Sequence, residues 1–126
     1  MRITNAEAVI MDCLWRRSPL AADDIVAEVA EPQGWSEATV RTLVNRLMNK
    51  KAIAAAKDGR RFLYRPLVAR EEYVSAESQG LLDRLFDGRL APLVAHLTER
   101  GRLAPGDVAE IKRLIEKLDA DENDGR

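Results

Sequence analysis

The chain has 126 residues, a net charge of -1, 46% hydrophobic and 33% charged residues, values of a folded globular protein that exclude disorder as the default. No apolar stretch approaches the ~20 residues of a spanning helix, and no basic segment followed by an apolar run opens the chain as a signal peptide would, so a cytoplasmic protein is expected. Cys13 is the single cysteine and aromatic residues make up only 5%, which excludes an internal disulfide, a thiolate metal cluster and the base-stacking platforms of single-strand binders.

In chain order, Thr4-Asn5-Ala6-Glu7 forms a capping box, and Ala6, Val9, Ile10, Cys13 and Leu14 recur at helical spacing behind it, predicting a first helix over about residues 5–16. Cys13 falls on that apolar face as a small buried hydrophobe, and Leu14 and Trp15 belong to the core. Ser18-Pro19 breaks the helix. A second helix is predicted over about residues 22–30, with Ile25, Val26 and Val29 inward and Asp23 and Asp24 in the first turn, where carboxylates suit the helix dipole. Glu31-Pro32-Gln33-Gly34 reads as a loop. Ser36 caps a third helix whose Val40, Leu43, Val44, Leu47 and Met48 form the strongest amphipathic stripe in the chain. Trp35, just before the cap, is read first as a hydrophobic staple.

Two short runs, Ala52 to Ala56 and Arg61 to Arg65, flank Lys57-Asp58-Gly59-Arg60. Asp-Gly at that place predicts a type I′ hairpin with both central residues at positive φ. Pro66 ends the second strand. Beyond it the pattern is wholly helical. Tyr73, Val74, Leu81, Leu82, Leu85 and Phe86 mark a helix over about residues 70–87, stopped by Asp87-Gly88. Leu90, Leu93, Val94 and Leu97 mark a shorter helix. Pro105 opens a last one carrying Val108, Ile111, Leu114, Ile115 and Leu118, with Pro at a tolerated first-turn position. Asp119 to Arg126 is expected to fray.

Charge gives this organisation a direction. Between Arg41 and Arg65, Arg41, Arg46, Lys50, Lys51, Lys57, Arg60, Arg61 and Arg65 oppose Asp58 alone. The whole chain carries -1, so this local excess of +7 leaves -8 for the rest. A basic window in an acidic protein points to a polyanion on one face. Three helices followed by a hairpin make a winged helix-turn-helix, in which the helix after the turn enters the major groove of duplex DNA. With the apolar stripe inward, Ala38, Thr42 and Asn45 face outward, flanked by Arg41 and Arg46. Asn can bind adenine bidentately, Arg can bind guanine, and small residues or a Thr methyl can meet thymine methyls. These five are the base-reading candidates. Ser36 and Thr39 at the helix start, Lys50 and Lys51 at its end, and Lys57, Arg60 and Arg61 around the wing tip are the backbone candidates, fixing register without reading sequence.

The segment Trp35-Ser36-Glu37-Ala38-Thr39-Val40-Arg41-Thr42-Leu43-Val44-Asn45-Arg46-Leu47 resembles the W-S-x-x-T-V-x-T-L-x-x-R-L signature of the penicillinase-repressor family, the BlaI, MecI and CopY-type regulators. Glu7 through Trp15 is similar to the family's first helix. Arg65-Pro66-Leu67-Val68, Glu72-Tyr73, Glu77-Ser78 and Leu85-Phe86-Asp87-Gly88 continue the likeness over nearly the whole chain. The resemblance implies a dimeric repressor of antibiotic-resistance or related stress genes, with a winged helix-turn-helix DNA-binding domain at residues 1–69 and a three-helix dimerisation domain at residues 70–126, bound to a palindromic operator with TACA/TGTA-type half-sites. It also places Trp35 near the DNA backbone. Copper-responsive members carry a C-terminal cysteine motif, and no cysteine follows Cys13 here. Antibiotic-responsive members are cut by a regulatory membrane metalloprotease at an Asn-Phe bond, where this chain has His96-Leu97.

The fold class expected is therefore mainly α with a small β-hairpin wing. The helices of residues 70–118 are too few to bury a core alone. A two-fold partner would bury Tyr73, Leu81, Leu82, Leu85, Phe86, Leu93, Leu97, Ile111 and Ile115 in a shared core. No catalytic motif is visible, no cofactor or membrane contact is expected, and one histidine cannot make a metal site. The alternative is a winged-helix module whose basic face docks an acidic protein without DNA readout.

Overall fold

Six helices and three short strands follow one another in a computed structural model that describes residues 2–124. They are α1 (Asn5–Arg16), β1 (Leu20–Ala21), α2 (Ala22–Gln33), α3 (Glu37–Asn49), β2 (Ile53–Asp58), β3 (Arg61–Pro66), α4 (Arg70–Phe86), α5 (Leu90–Glu99) and α6 (Pro105–Asp124). The strands form an antiparallel sheet in the order β1-β3-β2. A mainly helical chain with a β wing is what the sequence predicts. The chain divides into two compact units, Met1–Ser75 and Ala76–Arg126.

In the first unit the capping box forms as expected: the Glu7 amide donates to Thr4 Oγ1 at 3.2 Å and the Thr4 amide to Glu7 Oε1 at 2.9 Å. Ile10, Met11, Cys13 and Leu14 of α1 meet Ile25 and Val29 of α2, the Val40-Leu43-Val44-Leu47 stripe of α3, and Ile53 of β2 in one buried cluster. Every residue of that cluster precedes residue 54.

Three local expectations are corrected. Glu31 to Gln33 is not a loop, because α2 runs through Pro32 and stops at Gly34, which adopts φ 71°. Pro32 comes so late in the helix that the one backbone bond it removes does not end it. Gly34 then donates to the Glu31 carbonyl and Trp35 to the Ala30 carbonyl, a Schellman termination that needs a left-handed residue. The wing turn is shifted by one residue. Asp58 pairs with Arg61, leaving Gly59-Arg60 as the two-residue loop, and only Gly59 has positive φ, 64°. Glycine at the first central position belongs to the type II′ family rather than I′. Finally, the acidic tail does not fray from Asp119, since α6 stays helical to Asp124; Gly125 and Arg126 lie outside the described residues.

The sequence also gave no notice of β1, where Leu20 and Ala21 pair with Tyr64 and Leu63 and make β3 the central strand. By its internal contacts the first compact unit extends to Ser75, inside α4. The first turn of α4 is held to the first unit through Trp15, whose indole Nε1 donates to the Val68 carbonyl at 2.8 Å and whose ring lies 5.5 Å from that of Tyr73.

Candidate nucleic-acid interface

The recognition face is built on α3. Ser36 Oγ accepts from the Thr39 amide at 3.1 Å and caps the helix, and burial of Val40, Leu43, Val44 and Leu47 fixes its rotation. One face is thereby sealed in the core. Ala38, Arg41, Thr42, Asn45 and Arg46 all emerge exposed on the other. Thr39 is exposed as well, and its hydroxyl lies 3.1 Å from Ser36 Oγ. The wing stands on the same side, since a cleft lined by Asp23, Arg41, Arg61, Phe62 and Tyr64 joins the start of α2, the outer face of α3 and β3.

The basic side chains divide into committed and uncommitted groups. Arg46, Lys51, Lys57 and Arg60 are exposed and have no ion-pair or hydrogen-bond partner among the described residues. Arg61 sits 3.6 Å from Asp58 in a loose, exposed pair. Two expected contacts are otherwise engaged. Lys50 Nζ lies 2.5 Å from Glu7 Oε1 and 2.8 Å from the Arg2 carbonyl, so its ammonium serves the interior instead of standing free for a phosphate. Burial of Glu7 would push its carboxyl up, but hydrogen bonds from Lys50 and Thr4 outweigh that and hold it below the ordinary range. Arg41 is the second, bonded to both Glu37 and Asp23.

Trp35 is half-buried against the core, as a staple would be, yet its indole N–H has no partner among the described residues. Cys13 is fully buried and donates its S–H to Glu28; burial and that carboxylate push its pKa up to about 12, which makes it an inert thiol. Among the described residues no cluster of His, Cys, Asp and Glu could hold a metal, and no helix is long and apolar enough to cross a membrane.

The second unit has the opposite problem, too much apolar surface. Among its described residues none is buried. Of the expected interface set, Leu85 and Ile115 are 64% and 53% exposed, while Leu81, Leu82, Phe86, Leu93, Leu97 and Ile111 are half-buried. Tyr73, half-buried, lies in the first unit with its ring 5.5 Å from that of Trp15. Left out of the expected interface set, though on the predicted apolar stripes, were Leu90, Val94, Leu114 and Leu118, which with Ile111 and Ile115 line an apolar groove between α5 and α6. Their helical spacing was the available signal. His96 is exposed, its ring 6.5 Å from that of Phe86.

The family model for the penicillinase repressor matches residues 3–117. The chain belongs to the penicillinase repressor family. Its relatives in that family include the penicillinase repressor of Bacillus licheniformis, 28% identical over 92% of this chain and 91% of the relative. The methicillin resistance regulatory protein MecI of Staphylococcus aureus is 28% identical over 91% of this chain and 94% of its own length. Among solved structures, the DNA-binding domain of the repressor BlaI is 30% identical, covers 57% of this chain and 88% of its own, and superposes with a TM-score of 0.53. The monomeric form of B. licheniformis BlaI in complex with the blaP half-operator is also 30% identical, with a TM-score of 0.52 over 58% of this chain and 89% of its own. The likeness to both structures is confined to little more than half of this penicillinase-repressor chain.

Proposed function

We propose that the chain is a sequence-specific transcriptional repressor that binds duplex DNA as a homodimer on a two-fold symmetric operator. The observation that carries this reading is the rotation of α3. Val40, Leu43, Val44 and Leu47 are sealed in the core while Asn45, Thr42 and Arg46 stand exposed, with uncommitted cations at the end of α3 and at the wing tip. Amide and guanidinium groups on a presented helix suit base edges, and the flanking cations suit phosphates. Asn45, Thr42, Arg46 and Ala38 are the base readers in this reading, with Ser36, Thr39, Lys51, Lys57, Arg60 and Arg61 on the backbone. The free indole N–H of Trp35 is a further backbone donor. The complex of BlaI with a half-operator supports the docking mode. The relatives' names support antibiotic-resistance or related stress genes as the target class.

Pairing rests on the second unit. Three helices without a buried residue and with an open apolar groove leave their hydrophobic surface unpartnered. A second copy covers such a surface in an isologous interface and sets two recognition helices one DNA turn, or a multiple, apart.

Fluorescence anisotropy with a random duplex at rising salt tests the reading. The four cations per subunit assigned to the backbone (Lys51, Lys57, Arg60, Arg61) give a slope of log K against log salt of about -3.6 for one subunit and about -7 for two. A flat response, or no binding at low salt, would leave a protein-docking module as the better description.

A further inference from the structure

Arg41 lies in the middle of the presented face of α3 but is not free. Its Nε donates to Glu37 Oε1 at 2.9 Å, and its Nη2 lies 2.8 Å from the same oxygen and 2.6 Å from Asp23 Oδ1. The Nε hydrogen is given to Glu37 and one Nη2 hydrogen to Asp23, so both nitrogens of the side-on Nε–Nη2 edge are engaged. With Nε and Nη2 both donating to carboxylates, Arg41 cannot offer that edge as a fork to guanine or phosphate. Two carboxylates around one guanidinium also give this part of the face a net charge of -1, beside the basic wing. The carboxylates are open to solvent: the side chains of Asp23 and Glu37 are 85% and 60% exposed. Exposed ion pairs couple by no more than about five-fold each, so two of them hold Arg41 by at most about twenty-five-fold.

Resting on the DNA-binding reading above, we propose that Asp23 and Glu37 are specificity-determining residues, a carboxylate clamp that withholds Arg41 from non-specific DNA and releases it only on the operator. A single phosphate contact does not exceed the loss of two carboxylate partners, and the carboxylates repel the backbone they would face. A fitted bidentate base contact discriminates by about five-fold to a hundred-fold and outweighs the clamp. Arg41 then reads its base only where the rest of the face is already in register. The clamp lowers affinity for random sequence more than affinity for the operator, and in that way widens the ratio between them.

The test compares wild type with Asp23→Asn/Glu37→Gln, using anisotropy from 0.1 to 0.3 M KCl. One probe is a random 30-base-pair duplex and the other a duplex selected by the wild-type protein from a random pool. With Arg41 released, the double variant should steepen its salt slope on random DNA by about 0.9, and bind it about eight-fold tighter at 0.1 M, per engaged subunit. Its preference for the selected duplex should narrow accordingly. Asp23→Asn alone should move the same way by a smaller factor, and Asp23→Glu, which keeps the charge, should match wild type. Unchanged or weaker binding to random DNA, with the wild-type slope and melting temperature, overturns the clamp while leaving the repressor reading intact. Wild type that binds neither duplex overturns both.

Discussion

Removing the Lys50 ammonium should expose how the first unit carries a buried charge. Glu7 has 0% exposure, one oxygen shared by Lys50 Nζ and the Thr4 amide, and a second oxygen, Oε2, with no partner among the described residues. Lys50→Met keeps the aliphatic stem but leaves the carboxylate uncompensated, a change that costs ~3–5 kcal/mol in a fully buried pair. The Lys50 side chain is 33% exposed, so the lower end applies, about 3 kcal/mol, or roughly 12–24 °C in the melting of a unit of this size. The deficit has a pH signature. In wild type the folded carboxyl is held below its ordinary value of 4.5, so its stabilising share is complete above that value and is lost as pH falls through the folded one. In Lys50→Met burial acts without the lysine and pushes the carboxyl up, so protonation relieves the variant and its deficit shrinks between pH 7 and 4. Urea denaturation at several pH values measures this, and Glu7→Gln added to Lys50→Met should restore most of the loss. A variant within ~0.5 kcal/mol of wild type at pH 7, or a deficit that grows on acidification, would refute the buried-pair reasoning.

Asn45→Ala should lower discrimination between selected and random duplex by roughly five-fold or more while barely changing random binding, whereas Arg60→Ala should weaken both alike and flatten the salt slope by about 0.9 per engaged subunit. Equal losses for Asn45→Ala on both duplexes would remove it from the base readers. Leu114→Asp puts a charge into the α5–α6 groove and should give monomers by light scattering; an intact dimer would place the interface elsewhere. Trp15→Phe keeps the ring against Tyr73 but strands the Val68 carbonyl, costing ~1–2 kcal/mol in urea denaturation, and an unchanged midpoint would show that this bond contributes nothing.

How much of this could be read from the chain depended on the range of the interaction. The Thr4–Glu7 box and the Val40–Leu47 stripe are local, and they placed α1, α3 and the presented face correctly. The hairpin was legible but its register was not, because Asp58 is drawn into the ladder opposite Arg61 and Gly59 alone supplies the left-handed residue. Two residues carry no periodicity, so β1 was invisible. The tail stayed helical because neither Gly nor Pro interrupts the sequence between Gly106 and Gly125. Long-range polar pairs were hidden in principle. Glu7 does share helical spacing with Ile10 and Leu14, which marks an inward carboxylate in need of a cation, but nothing in the sequence named Lys50. The Glu37–Arg41 pair is readable at i,i+4; Asp23, 18 residues before Arg41, is not.

The most direct measurement is selection of duplexes by the full-length protein from a randomised pool, followed by sequencing of the bound fraction. A two-fold symmetric site, with half-sites about one helical turn or a multiple apart, is the expected product. Recovery of unenriched sequence, or of a solitary half-site bound by one subunit, would contradict it.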